Sequence, residues 1–423
     1  MKRSDISGFK DFDHEEKVNK VKEFASLTEE EVALLQKTGS MDIETASRMI
    51  ENVIGTFELP FGVATNFLID EKDYFIPMVL EEPSVVAAAS HAAKLARPAG
   101  GFKTNCDGPV MIGQIQVIGL EDYEKAKKYV IENKQEIISM ANAKDPTLIR
   151  YGGGVKDVEA RIIETPKGKM LIVHLIVNVS DAMGANIINT MTEHISPYIE
   201  KLTGGSVRLK IVSNLAVYRL ARAKAVWTKE SLTKKGFDGE DIIERILDAY
   251  AFACGDEYRC TTHNKGIMNG VDAVTIATGN DFRAVESGAH AYASFKGNYK
   301  PLTHYERDEN SNLVGTIELP LAIGTVGGST KSNNIAKIAL KILGTKTSKE
   351  LAGVFASVGL AQNFAALRAL ATEGIQKGHM RLHAKNIAIT AGAKDDDVDL
   401  IAQKLINENN ISVDRARKIL SGD

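Results

Sequence analysis

The run from residue 110 to 213 constrains what this chain can fold into more than any other stretch. Val110–Leu120 (VMIGQIQVIGL) alternates apolar and polar residues at the two-residue period of a strand. Glu121–Asp145 is charged, contains alanine and reads as a helix. Val155–Glu164 reads as a strand, Thr165–Lys169 (TPKGK) as a turn, and Met170–Ser180 as a second strand. Asp181–Leu202 sets Met183, Ile187, Met191, Ile195 and Ile199 on related turns of an amphipathic helix. Pro197 is a point where that helix can kink, and Gly204 and Gly205 end it. Ser206–Ser213 is the last strand. The order β-α-β-β-α-β is the split βαβ of ferredoxin-like folds. It predicts a small domain over 108–215, inserted into a larger one made of 1–107 and 216–373.

The flanking regions are mostly helical. Thr28 followed by Glu31 has the capping-box pattern, and Met41–Asn52 reads as a further helix. Residues 51–102 mix β-branched and aromatic runs with Gly and Pro, which predicts strands and turns. Ile242–Ala253, Phe282–Phe295, Asn333–Leu343 and Ser348–Thr372 read as helices, and Gly315–Gly328 as strand and Gly-rich turn. From Gly374 to the end, short helices with Gly joints, the last capped by Ser412, suggest a mobile flap over 374–423. The expected class is α+β: a large, mostly helical domain, an inserted βαββαβ cofactor domain and a helical C-terminal flap. No GxGxxG occurs, so a Rossmann domain is not expected.

Charge and cysteine usage narrow the partners. The net charge is −3, which leaves no basic field for a nucleic-acid backbone. Three cysteines without a CxxC pair argue against a disulfide framework and fit a reducing cytoplasm. The N-terminus has no apolar h-region, and apolar runs such as Met170–Val179 have about half the length of a spanning helix. No membrane partner is expected.

Several motifs can carry chemistry. DAMGAN, comprising Asp181, Ala182, Met183, Gly184, Ala185 and Asn186, follows a strand and opens a helix, where small residues let a phosphate approach backbone N–H groups. On this motif alone, plain helix capping with small residues for close packing is the favoured reading. In THNKGIMNG (Thr262–Gly270), Lys265 sits between polar residues and a flexible glycine; it can donate to a developing oxyanion, or be a solvated loop lysine. Asp281 in TGNDF precedes a helical run and suits an N-cap. In MVLEEPS, Pro83 holds Glu82 extended, and the adjacent acids can be a solvated pair. GTVGGST, with Gly327 and Gly328, fits a phosphate-binding turn or a tight structural loop. His379 and His383, four apart, have a zinc spacing, but Met380 stands where a zincin carries Glu.

Taken together and in this order, ENVIGTFELP (Glu51–Pro60), EEPSVVAAAS (Glu81–Ser90), DAMGAN, THNKGIMNG, ATGND (Ala277–Asp281), GTVGGST and GHM (Gly378–Met380) resemble hydroxymethylglutaryl-CoA (HMG-CoA) reductase of class II, from about Met41 to the end. The resemblance implies four-electron reduction of HMG-CoA to mevalonate and CoA with two NAD(P)H, through mevaldyl-CoA and mevaldehyde. It maps catalysis onto Glu82 (proton donor), Lys265 (carbonyl oxygen), Asp281 (between the two) and His379 (protonating the thiolate). A carboxyl of ordinary pKa, about 4, is ionised and a poor proton donor at neutral pH, so it needs burial or a like charge beside it, which Asp281 would supply. Ser84, Arg259, Asn214, Asn269 and Gln362 would hold the hydroxymethylglutaryl group, and Lys10 a CoA phosphate. Asp145 would bind ribose hydroxyls and repel a 2′-phosphate, favouring NAD(H); Arg150 nearby could accept NADP(H). The resemblance also implies at least a homodimer, with Glu82 opposite Lys265 of the other chain, and no metal. Two other classes compete: a zinc-dependent hydrolase using His379 and His383, and a non-enzymatic nucleotide-binding module on the ferredoxin-like domain.

Overall fold

The computed structural model describes residues 2–39, 41–234, 236–328, 333–372, 374, 384–394 and 396–422. Three helices open the chain: α1 (His14–Ala25), α2 (Glu29–Gln36) and α3 (Ile43–Met49). Asp13 with Glu16 and Thr28 with Glu31 form reciprocal capping boxes, and Asp42 caps α3 through Thr45 N. The Asp42 cap starts α3 after Met41, so this helix is shorter than expected. Residues 53–60 then run without helix or strand. A hairpin follows, β1 (Phe61–Ile69) and β2 (Lys72–Val79), turned by Asp70 and Glu71, both at positive φ (46° and 68°) as a two-residue hairpin turn requires. Next come α4 (Val85–Ala96), which buries Ala89, Ala92, Ala93 and Ala96, and β3 (Phe102–Cys106).

The ferredoxin-like unit forms as expected: β4 (Val110–Ile118), α5 (Tyr123–Glu132), α6 (Lys134–Ala143), α7 (Pro146–Arg150), β5 (Gly154–Thr165), β6 (Gly168–Asn178), α8 (Ala185–Thr203) and β7 (Ser206–Ser213). The strands lie in the order β5-β6-β4-β7, all antiparallel. The single helix expected over 121–145 is broken. Asn133 ends α5 by donating its side-chain amide to Tyr129 O (2.8 Å), the local competition with the helix ladder for which Asn is known. Asp145 and Pro146 restart the chain as α7. α8 runs through Pro197 and lies directly on β4, where a Cβ on Gly113 would stand 2.7 Å from Ile188 and Thr192 side chains. Met111, Ile115, Leu171, Val173, Leu175, Met191 and Ile195 fill the core between sheet and helices.

The chain returns through β8 (Leu220–Trp227), α9 (Lys229–Leu232), α10 (Gly239–Gly255), α11 (Glu257–Ala277), α12 (Phe282–Ala293), β9 (Thr303–Arg307), β10 (Leu313–Pro320), α13 (Asn334–Leu343) and α14 (Ser348–Ala371). The larger body therefore carries a six-stranded mixed sheet, β2-β1-β3-β8-β10-β9, more strand than its local sequence suggests. α14 is its axis. Trp227 stacks on Phe364 (3.9 Å, 7°) and donates its indole N–H to Ala92 O (3.1 Å). Burying each such ring contributes about 1.5–3 kcal/mol. Among the described residues α14 is the helix long and apolar enough to cross a membrane, yet 72% of its apolar window is buried in this core. The end of the chain, α15 (residues 384–391), α16 (Asp396–Asn407) and α17 (Val413–Ser421, capped by Ser412), forms a small core of its own around Ala388, Ile401, Leu405 and Ala416.

Candidate active site

The turn after β2 meets the middle of α11. Ser84 adopts φ 77°, ψ −20°, a left-handed conformation that a residue other than Gly rarely takes, and its hydroxyl makes no capping bond. This corner directs Glu82 at α11, where its Oε2 lies 3.3 Å from Lys265 Nζ. Two expectations are corrected here. Lys265 is not on a loop: THNKGIMNG is the interior of a 21-residue helix capped by Asp256. Of its two glycines, Gly270 is there for close approach, since a Cβ on it would stand 3.0 Å from Gln362 Cβ and Val358 Cγ1 of α14. And Glu82 faces Lys265 of its own chain, because α11 packs on β2, the strand that delivers Glu82.

The neighbours are polar and cationic groups suited to an anionic, hydrogen-bonding ligand. Asn269 follows Lys265 by one turn on the same face. Gln362, 5% exposed, reaches the same stretch from α14, and its buried Oε1 has no hydrogen-bond partner among the described residues. Arg259 is half-buried, and burial lowers its guanidinium pKa below the ordinary value. Among the described residues that guanidinium has no ion pair or hydrogen bond. The Lys265 and Glu82 side chains keep 59% and 37% of their exposure, so in one chain this half of the site is open to water.

Asp281 belongs to a second cluster. Lys265 to Ala277 alone spans about 18 Å along α11 at 1.5 Å per residue. Beyond the next turn, Asp281 caps α12 by accepting from Arg283 N (3.0 Å) and Ala284 N (3.3 Å), and it pairs with Arg283 (3.0 Å). Asn214 is on this side as well: its carbonyl lies against α12, 2.6 Å from where a Cβ on Gly288 would be.

Three motifs distant in sequence converge beside Asp281. Asn280 accepts from Gly324 N (2.8 Å) and donates to Gly324 O (3.2 Å). Gly324 in turn lies on DAMGAN so closely that a Cβ would sit 2.6 Å from Met183 N. Thr325 N donates to Asp181 O (2.9 Å), and Ala182 bridges Val326. The Asp181 carboxylate accepts from Ser348 N (2.7 Å) at the start of α14. Gly184, at φ 108°, is the N-cap of α8, so only Ala185 and Asn186 of the motif are helical. The helix expected from Asp181 starts four residues later, because Asp181–Met183 are held by the 321–326 loop instead. Gly327 and Gly328 continue that loop with φ 90° and 55°. Arg219, which sequence reasoning missed, is 4% exposed. It donates through Nη1 to Ala182 O and Met183 O (both 3.1 Å) and through Nη2 to Ile323 O. Asn280 was also missed, although it lies inside ATGND; Arg219 lies in no motif.

Asp145 caps α7 through Leu148 N (2.9 Å). Asn142 holds Val155 N, and a Cβ on Gly153 would be 2.8 Å from Asn178 O. Asp145 therefore sits at the end of β6 that runs into DAMGAN, with Arg150 in the last turn of α7. Lys10 stands apart, 88% exposed on a 3-10 turn whose Phe9 packs on Phe75 (5.7 Å). His379 and His383 lie outside the described residues. Among the described residues no group of three His, Cys, Asp or Glu is arranged to hold a metal ion.

Residues 13–384 match the hydroxymethylglutaryl-coenzyme A reductase family. A 3-hydroxy-3-methylglutaryl-coenzyme A reductase of Archaeoglobus fulgidus is 60% identical over 417 residues, 99% of this chain and 94% of that protein. The reductase from Streptococcus pneumoniae aligns in three dimensions with a TM-score of 0.84 and 39% identity, over 98% of this chain and 99% of that one. A class II structure from the same organism, bound to NADPH in open conformations, aligns with a TM-score of 0.82 and 39% identity, over 97% and 99%. The fold and these likenesses define an NAD(P)H-dependent oxidoreductase on a non-Rossmann framework. The chain belongs to the class II HMG-CoA reductase family, as the ordered motifs imply.

Proposed function

We propose that a homodimer of this chain interconverts HMG-CoA and mevalonate plus CoA at sites shared between two subunits. The observation that carries this is the separation of Lys265, paired with Glu82, from Asp281 by the rest of α11 and the turn after it. A site needing all three takes Glu82, Ser84, Arg259, Lys265, Asn269 and Gln362 from one chain and Asp281, Asn214 and the glycine loops from the other. The exposure of the Glu82–Lys265 pair supports this, since an ammonium stabilises a developing oxyanion strongly only where water is excluded. So do the exposed apolar side chains Ile50 (65%), Ile54 (103%), Phe57 (89%) and Tyr258 (88%), which call for a partner surface. In the dimer Asp281 would approach Glu82 and supply the like charge that makes a carboxyl a useful acid.

The loop 181–186 fits a nicotinamide dinucleotide. It offers α8's free N–H groups, and the Gly184 and Gly324 positions admit no side chain. The dinucleotide supplies hydride when bound. Lys265 would hold the thioester oxygen as it becomes an alkoxide, and again the aldehyde oxygen in the second reduction. Glu82 would protonate that oxygen. His379, within the family-matched span, would protonate the departing CoA thiolate. Arg259, whose guanidinium has no partner among the described residues, would pair the substrate carboxylate. Lys10 would meet a CoA phosphate. Asp145, at the cofactor end of the small sheet, supports NAD(H) over NADP(H); the bound NADPH is that of the pneumococcal protein. Three free cysteines suit a reducing compartment.

The test follows reduced-cofactor absorbance with HMG-CoA for wild type and Lys265→Ala. Two dinucleotides oxidised per CoA released, and a loss of kcat of about 100-fold or more in the variant, are expected. A dinucleotide-binding protein without turnover would overturn the proposal.

A further inference from the structure

We propose that Arg219 and Asn280 are positioning residues that lock the dinucleotide loop to the segment carrying Asp281. Hydride donor and carboxylate, which serve the same carbonyl, are thereby held in register. This rests on the assignment of residues 181–186 to the dinucleotide and of Asp281 to catalysis.

The junction has three strands of chain and two side chains that hold them. Residues 181–183 and 321–326 lie against each other through Thr325 N to Asp181 O and the Ala182–Val326 bridge. Arg219 spans both segments, with two bonds to Ala182 and Met183 carbonyls and one to Ile323. Asn280 fixes Gly324 by both of its backbone polar groups and is the residue immediately before Asp281. Met183, Gly324 and Asn280 thus form one chain of contacts that ends at the residue before Asp281, with the short Asn280 amide as its side-chain link.

The choice of arginine is informative. A guanidinium 4% exposed is desolvated, and burial brings its pKa down to about 10, which leaves it cationic. Among the described residues its guanidinium hydrogen bonds all go to backbone carbonyls, and Asp181 acts on it through space. A buried cation with carbonyl ligands only is stabilised further when an anion arrives nearby, and the residues it grips are those that line the N-terminus of α8. Only a planar fork reaches three carbonyls on two segments. A lysine keeps the charge and loses the geometry.

Arg219→Lys and Asn280→Ala test this in the full-length enzyme. The readouts are dinucleotide Kd by NADH fluorescence, HMG-CoA Kd, kcat and melting temperature, with wild type and Asp281→Asn alongside. Both variants are expected to bind HMG-CoA like wild type, to raise the dinucleotide Kd about ten-fold, and to lower kcat up to about 100-fold, the effect of a misplacement on the scale of 1 Å. Because they hold one junction, the double variant is expected to be little worse than the worse single one. A lower melting temperature with unchanged Kd and kcat in either folded variant would mean a merely structural role and overturn the inference. Should Arg219→Lys not fold, Asn280→Ala decides by the same criteria. Failure of wild type to bind dinucleotide, or full kcat in Asp281→Asn, would instead remove the functional assignment and this inference with it.

Discussion

Two inactive chains should make an active enzyme. Lys265→Ala removes a group from one cluster of the site and Asp281→Ala a group from the other. In a mixed dimer of two-fold symmetry, one site receives both lesions and the other receives neither. A dimer purified through two different tags should therefore show about half of the wild-type kcat, and an unselected random mixture about a quarter, since about half of its dimers are mixed. Each parent alone should fall by about 100-fold or more. The geometry also fixes a control. Glu82 and Lys265 are 3.3 Å apart in one chain, so Glu82→Ala mixed with Lys265→Ala places a lesion in every site and should restore nothing. The assay is reduced-cofactor oxidation with HMG-CoA after co-expression. Mixed Lys265→Ala/Asp281→Ala dimers no more active than their parents would refute the shared site.

Asp145→Ala should move the ratio of kcat/KM for NADPH over NADH upward by about ten-fold, one charge interaction of about 1.4 kcal/mol, and Arg150→Ala should move it the other way; an unchanged ratio in steady-state kinetics would contradict the assignment. Gly270→Ala should destabilise by about 1–3 kcal/mol because its Cβ meets α14 at 3.0 Å. Gly266→Ala, on the same helix with its nearest neighbours at 3.9 Å, should stabilise by roughly 0.5–1 kcal/mol; thermal or urea melts with the same sign for both would contradict the packing argument. Burial, and then Glu286, pushes Asp272 up to about 8, while an unfolded aspartate titrates at 3.8. The native state thus holds a proton that the unfolded chain has lost in this window, and the group's contribution, full below it, is lost as pH rises through about 8. Asp272→Asn should gain in melting temperature over wild type as pH rises through that window; a pH-independent difference would refute the linkage.

The small domain was legible because its signals are local. Alternation in Val110–Leu120 and the helical spacing of Met191, Ile195 and Ile199 need no knowledge of the rest of the chain. α11 was not legible around Lys265 because Gly266 and Gly270 are poor helix formers. What makes them helical is α14 lying close enough to forbid a side chain at Gly270, a tertiary fact. The separation of Lys265 from Asp281 was hidden for the same reason, since the distance exists only once the intervening residues are helix. The break at Asn133 depends on one side-chain amide bond. The large sheet was under-read because β8, LARAKAVW, is rich in alanine and becomes a strand through partners on both sides. Arg219 carries no local signal at all; its importance lies in which carbonyls the fold brings to it.

If, as proposed, α11 gives Lys265 to one centre and leads to Asp281 at the other, a ligand that touches both is bound only by an associated pair of chains. Ligation and association are then linked by mass action: each strengthens the other by the same factor. Activity per chain should fall on dilution, and saturating HMG-CoA should delay that fall. The affinity of such an enzyme for its substrate has no value apart from the protein concentration at which it is measured.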